Sequence, residues 1–84
     1  MNDAEVEKRV LGAFLQVAPD VDAAQLRRDV PFRDQFDFDS MDTLNFAIGL
    51  HQAFGIEVPQ TEYRELASLN GAVAYVVAQL AKHR

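Results

Sequence analysis

Apolar residues near the start of the chain recur at the spacing of one helix face. They are Val6, Val10, Ala13, Phe14 and Val17. Three carboxylates lie close to Val6, at Asp3, Glu5 and Glu7. Negative charge is favourable at the positive end of a helix dipole, so these residues suit a helix start. Pro19 marks a stop. The pattern predicts a first helix from about residue 3 to residue 17.

Residues 18–38 are rich in turn formers and are predicted to be a long loop. A loop of about 20 residues is unusual in a compact domain, so its own apolar residues must hold it to the core. The candidates for this role are Val21, Leu26, Val30, Phe32, Phe36 and Phe38, and Leu26 is placed on a short helical turn.

A second helix is predicted to begin at Asp39 or Ser40 and to end near Phe54. Asp39 is a good N-cap, and Gly55 suits the position just after a helix. Two apolar sets fall on different faces: Phe46, Leu50 and Phe54 on one, and Met41, Leu44 and Ile48 on the other. This helix is therefore apolar on more than one side.

The rest of the chain predicts two more helices, separated from the second by Glu57-Val58-Pro59. A short one spans about Gln60 to Leu66, and the last runs from about Leu69 to Ala81 with Ser68 as its N-cap. The stripe of the last helix is Val73, Val76, Val77 and Leu80, with Tyr75 offset, and Lys82, His83 and Arg84 suit its negative end.

No segment alternates between apolar and polar residues as a half-buried strand would. The fold class is therefore all-α: a four-helix bundle of three main helices and one short helix, with a long first loop. A length of 84 residues predicts a single domain over residues 1–84.

Charge and composition narrow the classes of partner. The chain has 13 acidic and 8 basic residues, a net charge of −5, which argues against nucleic acid or an anionic membrane as the main partner. Seven of the 13 carboxylates lie between Asp20 and Asp42.

The chain has no cysteine, which excludes disulfides and thiolate metal sites and fits a cytoplasmic protein. No apolar run is long enough to span a membrane, so stable insertion is not expected.

The tripeptide Asp39-Ser40-Met41, opening a predicted helix, resembles the phosphopantetheine attachment site of acyl carrier proteins. The resemblance continues in register through Thr43-Leu44-Asn45-Phe46, Phe54-Gly55-Ile56-Glu57-Val58-Pro59 and Ala72-Val73-Ala74-Tyr75-Val76. It implies an acyl-carrier-type bundle with a 4′-phosphopantetheine arm from coenzyme A attached to Ser40. It also implies that the chain presents acyl intermediates, held as thioesters, to enzymes of fatty acid, lipid or polyketide-type biosynthesis, and is not itself an enzyme.

A simpler interpretation of Ser40 is helix capping, which is common for serine near a helix start. Asp39 already suits that role, and a phosphate joined to Ser40 would lie among free backbone N–H groups at the positive end of the helix dipole. Attachment is therefore the preferred interpretation. The only other serine, Ser68, is predicted to be the N-cap of the last helix.

The resemblance also implies that the second helix meets basic patches on partner enzymes. Asp39 and Asp42 would supply negative charge, and Met41, Leu44 and Ile48 would supply apolar contact. Alternatively, these three are core residues or scattered apolar residues of the surface. Asn45, His51 and Gln52 stand where the family is usually acidic, so Asn45 and Gln52 would face partners without charge. A bulky Phe38 replaces the usual small residue and is a candidate for contact with the arm or cargo. These departures suggest a specialised carrier.

Two alternatives remain open from the residues alone. In the first, the chain is a D-alanyl-type carrier and its cargo is an amino acid. In the second, the chain is a degenerate carrier, a helical interaction module that is never modified. A carrier would meet a phosphopantetheinyl transferase, an acyl- or aminoacyl-loading ligase and acyl-transferring enzymes, and would act as a monomer. No catalytic constellation is evident, and the two histidines have no partners at metal-ligand spacing.

Overall fold

The computed structural model of the protein describes residues 1–82, so the predicted places of His83 and Arg84 lie outside the described residues. Its elements are α1 (Asp3–Val17), α2 (Phe32–Gln35), α3 (Ser40–Phe54), a 3₁₀ helix (Gln60–Leu66) and α4 (Leu69–Lys82). Residues 1–82 contain no β-strand, which confirms the all-α fold class. No helix in the same range is both long and apolar enough to cross a membrane.

The ends of the main helices follow from local capping. Asn2 caps α1, where its side-chain oxygen accepts the backbone N–H of Glu5 at 2.8 Å. Gly55 follows α3 at φ 70°, a left-handed conformation that costs glycine little, and its N–H donates to the carbonyl of His51. The hydroxyl of Ser68 accepts the N–H of Gly71 at 3.0 Å, which confirms Ser68 as the residue that caps α4.

Four phenylalanine rings join α1, α2, α3 and the loop before α3. Phe14 stacks on Phe32 with ring centroids 4.2 Å apart, and the edge of Phe46 meets both rings at 5.8 and 5.9 Å. Phe38 lies 5.6 Å from Phe14 and 5.1 Å from Phe32. Phe14, Phe32 and Phe46 are fully buried, so this cluster holds the loop that precedes α3 against the core.

The long first loop contains a helix that periodicity did not predict. At Leu26, where a short helical turn is predicted, two overlapping turns occur, closed from the N–H of Gln25 to the carbonyl of Asp22 at 3.0 Å and from the N–H of Leu26 to the carbonyl of Ala23 at 3.4 Å, and they do not extend into a helix. The helix is α2 instead. Four residues hold only one turn, too few to show a repeating apolar face, and α2 forms because Phe32 is buried in the core.

One side chain holds the segment before α2 in place. The Gln35 amide nitrogen donates to the carbonyls of Arg27 and Val30, both at 2.8 Å, and its oxygen accepts the N–H of Arg27 at 2.8 Å. Two backbone bonds then join this segment to the C-terminal part of the fold. They run from the N–H of Phe32 to the carbonyl of Ala67 at 2.8 Å and from the N–H of Asn70 to the carbonyl of Arg28 at 2.9 Å.

The apolar stripe predicted for α4 packs against the core, but the most deeply buried face of the helix also includes Leu69 and Ala72. Leu69, Ala72 and Val76 are the buried residues, whereas Val73, Val77 and Leu80 are half-buried. The start of α4 also lies close to the 3₁₀ helix, since a Cβ on Gly71 would lie 2.8 Å from the carbonyl oxygen of Glu65.

Candidate functional site

Ser40 is the first residue of α3, and its side chain is exposed. The cap of this helix is Asp39, whose carboxylate accepts the N–H of Asp42 at 3.0 Å. The carboxylate of Asp42 in turn accepts the N–H of Asp39 at 3.1 Å. Within residues 1–82 the hydroxyl of Ser40 makes no hydrogen bond, so it is not used in capping.

A groove of about 440 Å³ opens beside Ser40. It lies between α2, the start of α3 and the 3₁₀ helix, and most of its wall is apolar. The lining residues are Pro31, Arg33, Phe38, Asp39, Ser40, Thr43, Tyr63, Arg64 and Ala67. A group attached to Ser40 therefore has a surface concavity directly beside its point of attachment.

Two arginines lie on this groove, Arg33 from α2 and Arg64 from the 3₁₀ helix. Both are exposed, and in the described part of the chain neither takes part in an ion pair. The arginines that are paired there are Arg9, with Glu5, and Arg28, with Glu7. Two unpaired cations thus adjoin the candidate attachment serine of a chain whose net charge is −5.

The predicted contact residues of α3 lie on its surface. Met41, Leu44 and Ile48 are 60 %, 38 % and 46 % exposed, so the alternative that they belong to the core is wrong. Asn45 and Gln52 are exposed beside them, and Asp42 is half-buried. The exposed apolar residues form a stripe on a helix whose opposite side, Phe46 and Leu50, is fully buried.

Phe38 contacts both the core and the groove, and the sequence could not show which of the two it would contact. Its ring packs on Phe14 and Phe32 as a core anchor, and it also lines the groove beside Ser40. The Nδ1 of His51 lies 2.8 Å from the carbonyl of Ile56, so an Nδ1–H donates there and ties α3 to the segment that follows it, while the residue stays exposed.

Sequence reasoning missed Arg33, Thr43, Tyr63 and Arg64 as neighbours of Ser40. Arg33 lies in a segment dominated by carboxylates, and Tyr63 and Arg64 are more than twenty positions further along the chain. Only the packing of α2 and of the 3₁₀ helix beside the start of α3 brings Arg33, Tyr63 and Arg64 to this groove, and no spacing rule encodes that contact. Thr43 could have been found, because it lies three residues after Ser40 on the same helix.

These residues fit a covalently attached phosphopantetheine. The serine hydroxyl is exposed and unbonded within the described range, the groove can accommodate part of a flexible chain, and cations are available for a phosphate. In the same range no three histidine, cysteine or carboxylate side chains come together as a metal site.

The family model described as "Phosphopantetheine attachment site" matches residues 8–76. Three relatives are named acyl carrier proteins. That of Tropheryma whipplei (strain Twist) is 29 % identical over 84 % of this chain and 90 % of its own length. That of Guillardia theta is 27 % identical over 96 % of this chain and 99 % of its own length. That of Rubrobacter xylanophilus is 33 % identical over 68 % of this chain and 70 % of its own length.

The chain therefore belongs to the phosphopantetheine-binding family of acyl carrier proteins. Members carry a covalently attached 4′-phosphopantetheine group and are carriers rather than enzymes, which confirms both expectations for this chain. Membership of the family also implies that the chain interacts with a phosphopantetheinyl transferase and with acyl-handling enzymes.

Proposed function

We propose that Ser40 is the residue that bears the arm, and that the chain is a single carrier domain presenting acyl intermediates to enzymes of fatty acid, lipid or polyketide-type biosynthesis. The supporting observation is that Asp39 caps α3, which leaves the hydroxyl of Ser40 exposed and unbonded within residues 1–82. When bound, the arm supplies the terminal thiol, and hence the thioester linkage, that a chain without cysteine lacks.

The side chains around Ser40 would serve docking rather than chemistry. Met41, Leu44 and Ile48 offer the exposed apolar contact, and Asp39 and Asp42 add negative charge at the end nearest the arm. Charges in such a place mainly set encounter rate and register with a basic partner surface.

Further along the same helix, Asn45 and Gln52 provide polar contact without charge. We therefore assign the carrier to dedicated partners rather than to general fatty acid synthesis. We also propose that it acts as a monomer in the cytoplasm. Its holo form should be a poor substrate for a general ketosynthase or malonyl transferase compared with those enzymes' own carrier. Equal use of both carriers would contradict this assignment.

Intact mass measurement after incubation with coenzyme A and a phosphopantetheinyl transferase tests attachment. Wild type and Ser68→Ala should each gain one phosphopantetheine, and Ser40→Ala should gain none. No gain in wild type with several transferases would favour the unmodified interaction module. Loading assays with acyl and amino acid ligases then separate an acyl carrier from a D-alanyl-type carrier.

A further inference from the structure

The arginines beside Ser40 have no role in the fold described above. Neither Arg33 nor Arg64 is buried, and the residues described by the structure include no carboxylate paired with either. Both line the same groove as Ser40 although they come from different helices. Their shared location points to an anion that arrives at this site.

We propose that Arg33 and Arg64 bind the phosphodiester of the arm on Ser40 and direct the arm into the adjoining groove, so that it rests on the carrier between deliveries. This inference depends on the proposed attachment at Ser40. The phosphodiester is anionic and is tethered within the groove by its own ester bond, so binding requires no separate encounter.

Guanidinium groups suit this anion because their planar donors match phosphate oxygens. Among the described residues, the one carboxylate on the groove belongs to Asp39, and it is already engaged with the N–H of Asp42. Within residues 1–82, the charged groups that line the groove are therefore two cations and one anion. Because the arginines are exposed, the contact should weaken as salt screens it.

The apolar part of the groove suits the rest of the arm. Phe38 and Tyr63 present ring surfaces there, and Pro31 and Ala67 complete an apolar wall. Methyl and methylene groups of the pantetheine chain would cover this surface. Since Phe38 is held by Phe14 and Phe32, its ring is a fixed part of the wall.

The test uses holo protein in which intact mass has confirmed one arm on Ser40; failure at that stage would count against the proposed function and not against the arginines. Holo wild type is compared with Arg33→Gln, Arg64→Gln, the double variant and a control, Lys8→Gln, which removes one exposed cation on α1 that does not line the groove. The readouts are the ³¹P shift, nuclear Overhauser contacts from arm methyl groups to aromatic rings, and the rate of thiol alkylation.

In wild type and the control we expect contacts from the arm to the rings of Phe38 and Tyr63. In the double variant, and in wild type at high salt, these contacts should weaken, the phosphorus shift should change, and alkylation should become about twofold to tenfold faster, as expected for the loss of two exposed charge pairs. Readouts that are equal in the double variant, the control and wild type would overturn the proposal. So would variants that cannot be loaded at all, since the arginines would then belong to the contact with the transferase.

Discussion

Asp39 and Asp42 cap the start of α3 for each other. Each carboxylate accepts the backbone N–H of the other residue, at 3.0 and 3.1 Å. Two backbone donors that a helix start leaves unpaired are thereby satisfied without Ser40. Helix capping and attachment of the arm are consequently separate tasks of adjacent residues, and substitutions can test them independently.

Asp39→Ala should lower the free energy of unfolding by about 0.5–2 kcal/mol because it removes the cap of α3. Ser40→Ala should change it by less than about 0.5 kcal/mol, since the exposed hydroxyl makes no hydrogen bond within residues 1–82. Urea unfolding of the unmodified proteins measures both. Asp39→Asn retains a side-chain acceptor and should recover most of the loss. A large cost for Ser40→Ala would show that the serine does cap the helix.

The helix boundaries were predictable because capping is local. Asp39, Gly55 and Ser68 each signal a helix end within a few residues, and the structure places the ends where these residues predicted them. The exposed stripe on α3 was also predictable, since one helix cannot bury two apolar faces in a domain this small. The choice between the faces followed from the family resemblance.

The surroundings of Ser40 were not predictable, because they depend on contacts between distant segments. Neither Arg33 nor Arg64 stands out in the sequence, and α2 is too short to have a period. The deepest part of the α4 face was not predictable for a related reason. The predicted stripe packs against the core, but Ala72, a small residue that a hydrophobic pattern does not single out, is more deeply buried than Val73, Val77 or Leu80.

Gln35→Ala should destabilise the fold by about 1–3 kcal/mol, because the amide makes three hydrogen bonds to the backbone of residues 27 and 30 and their partners would lose them. Gln16→Ala, on the exposed surface of α1, is the matched control and should change stability by less than about 0.5 kcal/mol. Chemical unfolding measures the difference. Equal values for the two variants would mean that water replaces the Gln35 bonds without cost.

Gly71→Ala should destabilise the protein by about 1–3 kcal/mol, because the new Cβ would lie 2.8 Å from the backbone oxygen of Glu65 and α4 must shift away. Gly12→Ala is the opposite case: no atom of residues 1–82 outside its own helix turn lies within 4 Å of the new Cβ, and a helix interior favours alanine over glycine. It should therefore stabilise the protein by about 0.5–1 kcal/mol. The two melting temperatures should move in opposite directions, and an unchanged or raised melting temperature for Gly71→Ala would contradict the close packing between α4 and the 3₁₀ helix.

Ile48→Gln should leave stability nearly unchanged, since 46 % of the residue is exposed, but should slow acyl transfer to a partner enzyme about threefold to tenfold by weakening an apolar contact. Asp42→Asn tests the charge on the same surface while keeping a side-chain oxygen to accept the N–H of Asp39. Its effect on transfer should fade as salt rises. Lys8→Gln, at an exposed position of α1 that lines no surface with Ile48 or Asp42, serves as the control. Transfer rates unaffected by Ile48→Gln would remove α3 from the docking surface.

The hydroxyl of Tyr75 donates to the carboxylate of Glu62, joining α4 to the 3₁₀ helix. Burial and this neighbouring carboxylate raise the pKa of Tyr75 to about 12. Because the pKa is about 10 in an unfolded chain, the unfolded state loses its proton first as pH rises. Stability from this group is thus complete below about pH 10 and falls progressively up to about pH 12.

Tyr63→Phe leaves Tyr75 as the only tyrosine, so the absorbance of its phenolate reports one titration. We expect a midpoint near 12 while circular dichroism still shows a folded helix bundle. Adding Glu62→Gln should move the midpoint down, because the charged acceptor is lost while burial remains. Between pH 10 and 12, Tyr75→Phe should lose less stability than wild type. A midpoint near 10 in protein that is still folded would show that the bond between Tyr75 and Glu62 does not persist in solution.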